Sequence, residues 1–526
     1  MNTNSESYQK NYQAMLKLEE DLMQKMQESL FQGKEKHLEA ARKNGKFSAR
    51  ERIELLLDDD SPFLELMPLA GLKVKDSVAV GGTTIGGIGL VSGKLAMIIS
   101  NVGTNKGGTV DYITLQKSLR LSEIALENQL PVINFVESGG ANLPEQAKIF
   151  NYGGASFREI TRRSKLGIPT ISIVTGNATA GGAYVPGMSD YSIFVKNNAK
   201  VFLAGPPLVK MATGEETDDE SLGGAEMHAK ISGVADYLAE DEVEAIRLTR
   251  EIMSHLNTDK ECFVPAPNFE TPLHDIDELL GIVSADFKIP FDARELIGRI
   301  VDGSEFHEFK PKYGNTLVTG FAKIHGYPIA IIANNGVLFS ESANKAAQFI
   351  QLCNKNNTPI LFLQNITGFM VGKQYEEGGI IKHGAKMINA VSNSEVPLIT
   401  IMIGGSFGAG NYAMAGRSYQ PRFLFSYPNT KIAVMGSEQL VGVMQIIKKQ
   451  AAEKSGEVYD EAKEQQIATF VKMSLEEQSS AYFSTANLWD DGIIAVRQTR
   501  NYLAVCLAAV YNVNFKGAEA YGVFRM

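Results

Sequence analysis

The sequence predicts an α/β fold built from two tandem copies of one domain, because short apolar runs repeat at a constant spacing. Residues 169–176 (PTISIVTG) align with 397–404 (PLITIMIG) at an offset of 228 residues, and 131–136 (PVINFV) align with 359–364 (PILFLQ) at the same offset. Such runs alternate with helical periodicity, which is typical of buried parallel strands joined by helices. Two homologous halves of about 230 residues follow, each near the upper size of a single core.

The repetition continues upstream with a drifting offset. Gly87 corresponds to Gly320 at an offset of 233, and residues 49–53 (ARERI) correspond to 293–297 (ARELI) at an offset of 244. The two halves therefore differ by insertions between matched segments, and the order of the segments is kept.

Each half predicts the same elements in the same order. A helix with a charged face (49–58 and 293–302) precedes two strands and an amphipathic helix (112–129 and 343–356). A buried strand, a glycine-rich loop with a helix, a second buried strand and a second glycine-rich loop that enters a helix come next. Three prolines place the linker between the halves around residues 261–275.

These patterns predict three segments of chain, which are a helical extension at 1–45, a first domain at 46–265 and a second domain at 275–520. The 526 residues are 44% hydrophobic and 21% charged, with a net charge of −9, which fits a globular protein and makes nucleic acid an unexpected partner. No apolar stretch reaches ten residues and the start lacks the features of a signal peptide, so we expect a cytoplasmic protein without a membrane span.

The cysteines and histidines do not form a metal-binding or disulfide pattern. Cys262, Cys353 and Cys506 are far apart, which excludes a CxxC zinc ribbon and fits a reducing compartment. The seven histidines show no HxH or HExxH spacing, and we expect no metal in this chain. His383, beside a glycine-rich stretch, is the one histidine kept as a functional candidate.

Two glycine-rich loops at matched positions are the main functional signal. Residues 176–191 (GNATAGGAYVPGMSDY) and 404–419 (GGSFGAGNYAMAGRSY) both follow a buried strand and lead into a helix. Such a junction exposes backbone N–H groups, and paired N–H groups in a cleft can hold the oxyanion of an enolate. A tight packing turn would also need glycine, but two matched clusters favour function. Two loops imply two developing oxyanions in one reaction.

Competing motifs are weaker. Residues 404–408 (GGSFG) match a nucleophile elbow with Ser406, but no histidine follows His383, and Ser406 corresponds to Ala178 in the first half. Residues 368–374 (GFMVGKQ) are one residue short of a Walker A loop and end in glutamine. Glu137 could act as a general base or could serve in packing, since its counterpart is Asn365.

Six strings give the chain a resemblance to a known family: TAGGAYVPGMSDY, FLAGPPLVKMATGEE, LGGAEMHAKISGVADY, QNITGFMVG, GGIIKHGAKM and GGSFGAGNYAMAGR. They resemble the carboxyltransferase (β) subunits of biotin-dependent acyl-CoA carboxylases. NITGFMVG with FGAGNYAM resembles the methylcrotonyl-CoA and geranyl-CoA branch more than the propionyl-CoA branch. The segment between Pro144 and Ile168 is shorter and richer in glycine than that branch leads us to expect.

The resemblance implies two crotonase-like domains, a homohexamer, and a site where the first domain of one subunit meets the second domain of another. It places the catalytic backbone donors at Gly181 and Gly182 for the acyl-CoA carbonyl, and at Ala409 and Gly410 for the biotin carbonyl. We also expect acyl-CoA to contact Lys106, Gly139, Gly140, Ala180 and Gly181. Biotin is expected to contact Gly368, Phe369, Gly408, Ala409 and Tyr412.

The chain contains no biotinyl-lysine motif and no ATP-binding half. The resemblance therefore implies that biotin arrives on a separate α-type subunit that carries the biotin carboxylase and the carboxyl carrier. A methylcrotonyl-CoA-like substrate is favoured. The alternatives are a propionyl-CoA or other acyl-CoA carboxylase, a decarboxylase or transcarboxylase subunit of the same fold, and a non-catalytic scaffold.

Overall fold

The N-terminal extension forms two helices that lie outside the repeated part of the chain. The computed structural model describes residues 2–257, 269–456 and 459–526. Helix α1 (Glu6–Glu28) begins at Ser5, whose hydroxyl accepts the Tyr8 N–H, and α2 (Glu35–Lys43) follows. Helix α1 packs on the second half, where Asn11 Nδ2 donates to the carbonyl oxygen of Val283 at 2.8 Å.

The first half is a sheet with helices between its parallel strands. Its elements are α3 (Ala49–Leu56), β1 (Leu64–Glu65), β2 (Thr84–Val91), β3 (Lys94–Asn101), α4 (Tyr112–Glu127), β4 (Val132–Ser138), α5 (Gln146–Lys165), β5 (Thr170–Thr179), α6 (Tyr184–Met188), β6 (Tyr191–Val195), β7 (Lys200–Phe202), α7 (Pro206–Thr213), α8 (Asp219–Gly223), α9 (Ala225–Met227), β8 (Tyr237–Ala239) and α10 (Glu242–His255). Its eight strands run in the order β1-β2-β3-β4-β5-β6-β8, with β7 paired to β5.

The second half repeats this plan. Its elements are α11 (Leu279–Ile282), α12 (Ala293–Ile300), β9 (His307–Glu308), β10 (Leu317–Ile324), β11 (Tyr327–Asn334), α13 (Ser340–Lys355), β12 (Ile360–Ile366), α14 (Lys373–Glu377), α15 (Ile380–Ser392), β13 (Leu398–Phe407), α16 (Gly408–Ala413), β14 (Phe423–Ser426), β15 (Lys431–Ala433), α17 (Ser437–Ser455), α18 (Glu461–Gln478), α19 (Ala481–Ala486) and α20 (Thr499–Val510). Its seven strands run β14-β13-β12-β11-β10-β9, with β15 paired to β13.

Strand direction agrees between the halves. The β2–β3 and β10–β11 pairs are antiparallel hairpins, while β3–β4–β5–β6 and β11–β12–β13–β14 are parallel. Strands β4 and β12 begin and end 228 residues apart, as do β5 and β13. The predicted fold class, an α/β protein of two duplicated domains with buried parallel strands, is confirmed.

A duplicated ion pair shows how closely the halves correspond. Asp58 accepts the two backbone N–H groups of the β2–β3 turn and pairs with Arg250 of α10 at 2.8 Å. Asp302 accepts the two N–H groups of the β10–β11 turn and pairs with Arg500 of α20 at 2.6 Å. An equivalent carboxylate in each half, Asp58 or Asp302, therefore joins the first hairpin to the last helix of that half.

The halves share one continuous apolar core. Side chains of β2, β3 and α4 pack in a single buried cluster with side chains of β10–β14 and α20. The predicted linker at 261–275 lies outside the described residues up to 268, and 269–275 form neither helix nor strand. The predicted domain limits, 46–265 and 275–520, therefore stay predictions. Among the described residues, no helix combines the length and apolar composition that a membrane span requires.

Candidate active site

The first glycine-rich loop begins where β5 ends at the edge of the sheet. Ala180 adopts a left-handed conformation (φ 52°) and starts a short 3-10 helix over Ala180–Ala183 that contains Gly181 and Gly182. Backbone N–H groups at the start of a helix point out of its N-terminal end. The two glycines leave those groups uncovered by side chains at the end of the parallel strands.

The end of β4 forms the opposite wall of this cleft. A Cβ atom built on Gly182 would lie 3.7 Å from Ser138, and one built on Gly140 would lie 3.5 Å from the carbonyl oxygen of Thr179. Gly140 itself has a φ of 86°, a conformation that favours glycine. The end of β4 and the first glycine-rich loop therefore lie side by side at the carboxyl ends of the strands.

A neighbouring loop holds the β4 wall in place. The Gly139 N–H donates to the Gly107 carbonyl oxygen at 2.8 Å, and the Ser138 hydroxyl donates to the Gly108 carbonyl oxygen at 3.0 Å. Lys106 is the exposed first residue of the same loop. The structure thus brings together all six residues predicted for the acyl-CoA side.

The second glycine-rich loop repeats this geometry. Gly408, the counterpart of Ala180, has a φ of 55° and starts α16, which contains Ala409 and Gly410. A Cβ atom built on Gly410 would lie 3.4 Å from Gly368 Cα and 2.6 Å from Ile366 Cγ1. The strand-end wall of β12 therefore faces the loop just as the wall of β4 does.

Two aromatic side chains border the second cleft. The Phe369 ring packs over Gly384, where a Cβ atom would lie only 3.1 Å from the ring. Tyr412 lies on α16 with its ring centroid 5.9 Å from that of Tyr419, and is about half exposed. The six residues predicted for the biotin side thus form a second group, at the matched edge of the second sheet.

The side chains of the competing catalytic candidates, Ser406 and His383, form contacts with neighbouring side chains of the protein. Ser406 is fully buried, donates to Gln364 Oε1 at 2.7 Å and accepts from Asn411 Nδ2 at 2.7 Å. His383 Nδ1 lies 3.1 Å from Asn344 Oδ1, and burial together with nearby Lys386 and Lys382 lowers its pKa. Within the described ranges, no group of three or more His, Cys, Asp or Glu side chains is arranged to hold a metal ion.

Glu137 is also tied up, which favours packing over base catalysis. Its two carboxylate oxygens accept from Lys46 Nζ at 2.7 Å and from Arg52 Nη1 at 3.1 Å. The carboxylate also fills the space above Gly176, where a Cβ atom would lie 2.6 Å from Glu137 Cδ. A base needs a free lone pair directed at the substrate proton, and this carboxylate points into an ion-pair cluster instead.

Sequence reasoning missed Phe157, an aromatic residue beside the first loop. A Cβ atom on Gly181 would lie 3.3 Å from Phe157 Cζ, and the Phe157 ring meets Tyr184 edge-on at 5.8 Å between centroids. Phe157 lies on α5, within the segment noted as unusually short. The contact between Phe157 and Gly181 could not be predicted from the sequence, because it exists only once helix α5 has packed against the sheet.

Sequence reasoning also missed a cluster of ion pairs that links the two halves. Buried Asp491 pairs with Arg120 of the first half at 2.9 Å and with Arg417 of the second at 2.8 Å. Burial alone would raise the pKa of Asp491, but the two guanidinium groups hold it well below its usual range. Burial raises the pKa of neighbouring Asp490 to about 6, although Ser426, Thr485 and Arg417 offset part of this rise.

Comparison with known proteins gives concordant matches over almost the whole chain. Residues 40–519 match the carboxyl transferase domain family. A Mycobacterium tuberculosis protein named "Probable biotin-dependent acyl-coenzyme A carboxylase beta2 subunit" is 54% identical over 527 residues, covering 100% of this chain and 99% of that protein. The mitochondrial methylcrotonoyl-CoA carboxylase beta chain of Dictyostelium discoideum is 48% identical over 530 residues, covering 99% and 90%.

A solved structure matches the fold as well as the sequence. The crystal structure of the beta subunit of P. aeruginosa geranyl-CoA carboxylase superposes with a TM-score of 0.89 at 44% sequence identity. The match covers 99% of this chain and 98% of that one, so both halves and the arrangement between them are similar.

Proposed function

The chain belongs to the carboxyl transferase domain family, and we propose that it is the carboxyltransferase (β) subunit of a biotin-dependent acyl-CoA carboxylase. The single observation that carries the proposal is the pair of matched glycine clefts, one at the carboxyl ends of the parallel strands in each sheet. A reaction in which two carbonyl oxygens become negatively charged needs two sets of fixed donors, and backbone N–H groups supply them without a titrating side chain.

The first cleft is proposed to bind the acyl-CoA thioester. Gly181 and Gly182 would donate to the thioester oxygen as the C–H bond at the reacting carbon breaks and negative charge moves onto that oxygen. The resulting enolate carbon then forms the new bond to CO2. Lys106, exposed on the loop that supports Gly139, is proposed to pair with a CoA phosphate.

The second cleft is proposed to bind biotin, which we infer is carried by a separate α-type subunit. Its walls fit such a group: Gly368 leaves open space, with no atom within 4 Å of a Cβ built there, and Phe369 offers an apolar ring face. When bound, carboxybiotin supplies CO2 and a ureido nitrogen that accepts the substrate proton. Ala409 and Gly410 would donate their N–H groups to the ureido oxygen, while Tyr412 covers the rim.

A second copy of the chain is proposed to complete the site within a homohexamer. Large apolar side chains of both halves are strongly exposed in one chain, including Phe150 (82%), Met211 (84%) and Phe470 (75%). Exposure on this scale is typical of protein interfaces.

The favoured substrate is a branched or unsaturated acyl-CoA similar to methylcrotonyl-CoA. Two of the similar proteins carry methylcrotonoyl-CoA and geranyl-CoA carboxylase names. The Phe157 and Tyr184 rings next to Gly181 add an apolar wall that suits a hydrocarbon chain. A cytoplasmic location remains our prediction for the assembly.

The decisive experiment is a substrate screen of the reconstituted enzyme. The chain is mixed with its biotinylated α subunit, ATP, bicarbonate and a panel of acyl-CoA thioesters, and CoA-dependent ADP release is measured. We expect turnover with branched or unsaturated thioesters. No turnover with any thioester would contradict the proposal, and loss of CO2 from a carboxylated acyl-CoA without ATP would favour a decarboxylase. Gly187→Ala and Gly442→Ala are matched controls, because a Cβ at either position meets no atom within 4 Å.

A further inference from the structure

A cluster of four charged side chains lies directly behind the first cleft. Arg52 of α3 is 2% exposed and donates to Glu242 of α10, which is 1% exposed, at 2.8 Å. The same guanidinium donates to Glu137, which also accepts from Lys46, the residue directly after the N-terminal extension. Two cations balance two anions, so the buried cluster is neutral as a whole. We refer to Lys46, Arg52, Glu137 and Glu242 as the clamp.

Glu137 occupies a break in the pairing of β4 with β5. Val136 pairs with Val174 and Ser138 pairs with Ala178, so three residues of β5 lie opposite the single residue Glu137. The Glu137 side chain lies in this bulge, against Gly176. Bulges of this kind are common next to active sites, where they redirect the following residues.

Both walls of the first cleft start at this bulge. Strand β5 runs only from the bulge to Thr179 before the loop with Gly181 and Gly182 begins. Strand β4 ends at Ser138, one residue beyond Glu137, and continues into Gly139 and Gly140. A shift of the Glu137 carboxylate would therefore move both sets of backbone groups that face the thioester.

The second half has the same bulge without the clamp. Gln364 pairs with Met402 and Ile366 with Ser406, and Asn365 lies opposite the extra residues. Asn365 Oδ1 accepts the Gly405 N–H at 2.9 Å, so a neutral amide closes this bulge by itself. The first half thus uses four ionised groups from distant elements where a local hydrogen bond is sufficient in the second.

We propose that Glu137 is a positioning residue for the acyl-CoA cleft, held in place by Lys46 and Arg52. This inference rests on the proposed function of that cleft. Lys46, directly after the N-terminal extension, then supports the acyl-CoA site although it touches no substrate. Loss of Lys46 also leaves a net negative charge behind a site where negative charge develops, which opposes the reaction.

The test compares Glu137→Gln and Lys46→Met with a matched control. Glu65→Gln breaks another part-buried ion pair of helix α3, that of Arg50 with Glu65 at 2.8 Å, away from the bulge. Bound acyl-CoA labelled with ¹³C at the thioester carbonyl is observed by difference infrared spectroscopy. The wild-type carbonyl band should lie below that of free acyl-CoA, because aligned donors polarise the bond. Both clamp variants should shift the band back towards the free value, and Glu65→Gln should not.

Kinetics give a second readout. The clamp variants should lose about 10-fold or more in kcat with KM changed less than about 3-fold, since misplacement of donors acts on the transition state. Lys46→Arg should restore both readouts. An unchanged band in folded Lys46→Met and Glu137→Gln would overturn the inference and leave the proposed function intact. A wild-type band equal to that of free acyl-CoA would refute the donor cleft itself, and the inference with it.

Discussion

Gly182→Val is a substitution that should affect the first cleft without disturbing the rest of the protein. A Cβ at this position would lie at an ordinary contact distance of 3.7 Å from Ser138, so the residue itself fits. Each γ-methyl extends about 1.5 Å further. Because the Ser138 wall blocks that direction, the methyl groups must project into the open cleft where the thioester oxygen would bind.

The expected cost is that of a lost oxyanion donor. Removing one such donor typically lowers kcat by about 100- to 1,000-fold, which is about 3–4 kcal/mol. Folding should be nearly unaffected, since valine and glycine differ by less than about 1 kcal/mol in a helical turn and Gly182 does not have a positive φ. We therefore expect a defect in transfer without a defect in assembly.

The assay measures carboxyl transfer and the biotin half-reaction in the same preparation. ADP release with acyl-CoA should fall to background, whereas slow decarboxylation of carboxybiotin without acyl-CoA should continue, and size-exclusion chromatography should give the wild-type assembly. Gly187→Ala is the control variant. Transfer within about 3-fold of wild type in Gly182→Val would refute the assigned cleft, because no donor geometry tolerates that obstruction.

Three further changes test other parts of the site. Gly410→Ala should abolish the biotin half-reaction while acyl-CoA binding survives, because the new methyl would lie 2.6 Å from Ile366 Cγ1 and displace the second loop. Ile366→Ala, which removes Cγ1, should partly rescue the half-reaction. Full activity of Gly410→Ala alone would contradict the assignment. Phe157→Ala should raise the ratio of kcat/KM for a longer acyl chain to kcat/KM for a shorter one by about 10-fold, because the variant opens the wall beside Gly181. If this ratio is unchanged in the acyl-CoA panel, Phe157 does not line the acyl pocket. Burial raises the pKa of Asp490 to about 6, above an unfolded value of about 3.9. The stability that protonated Asp490 contributes is therefore lost as the pH rises from about 4 through 6. Asp490→Asn should lack this loss, and thermal midpoints that change in parallel with those of wild type between pH 4.5 and 7 would contradict this prediction.

Much of the fold could be predicted because its signals are local. The runs 131–136 and 169–176 are short and apolar and begin with proline, and they form most of β4 and β5, with matched strands 228 residues later. The loop glycines were found for the same reason, since each stands directly after a buried strand. Repetition then supplied a second, independent observation of each element.

The supporting contacts could not be predicted because their partners are distant in sequence. Glu137 meets residues 91 and 85 positions earlier, and Arg120 meets Asp491 371 positions later. Ion pairs of this kind leave no periodic pattern in either segment. Lys117 of α4 shows the same limit: it reads as the exposed face of an amphipathic helix, but it is buried and donates to the Gly81 carbonyl oxygen at 3.1 Å.

The residue that starts the helix of each loop differs between the halves, and this difference bears on the two ligands proposed for the clefts. Ala180 keeps a left-handed conformation that costs a non-glycine residue about 1–2 kcal/mol, whereas its counterpart Gly408 adopts it without that cost. The Ala180 methyl lies beside Gly140, where a Cβ would be 3.8 Å away, and so narrows the first cleft. A Cβ built on Gly368, the counterpart of Gly140, meets no atom within 4 Å, so the second cleft is more open at this position. The narrower first cleft suits the flat thioester proposed to bind there, and the more open second cleft suits the larger biotin ring system proposed for it.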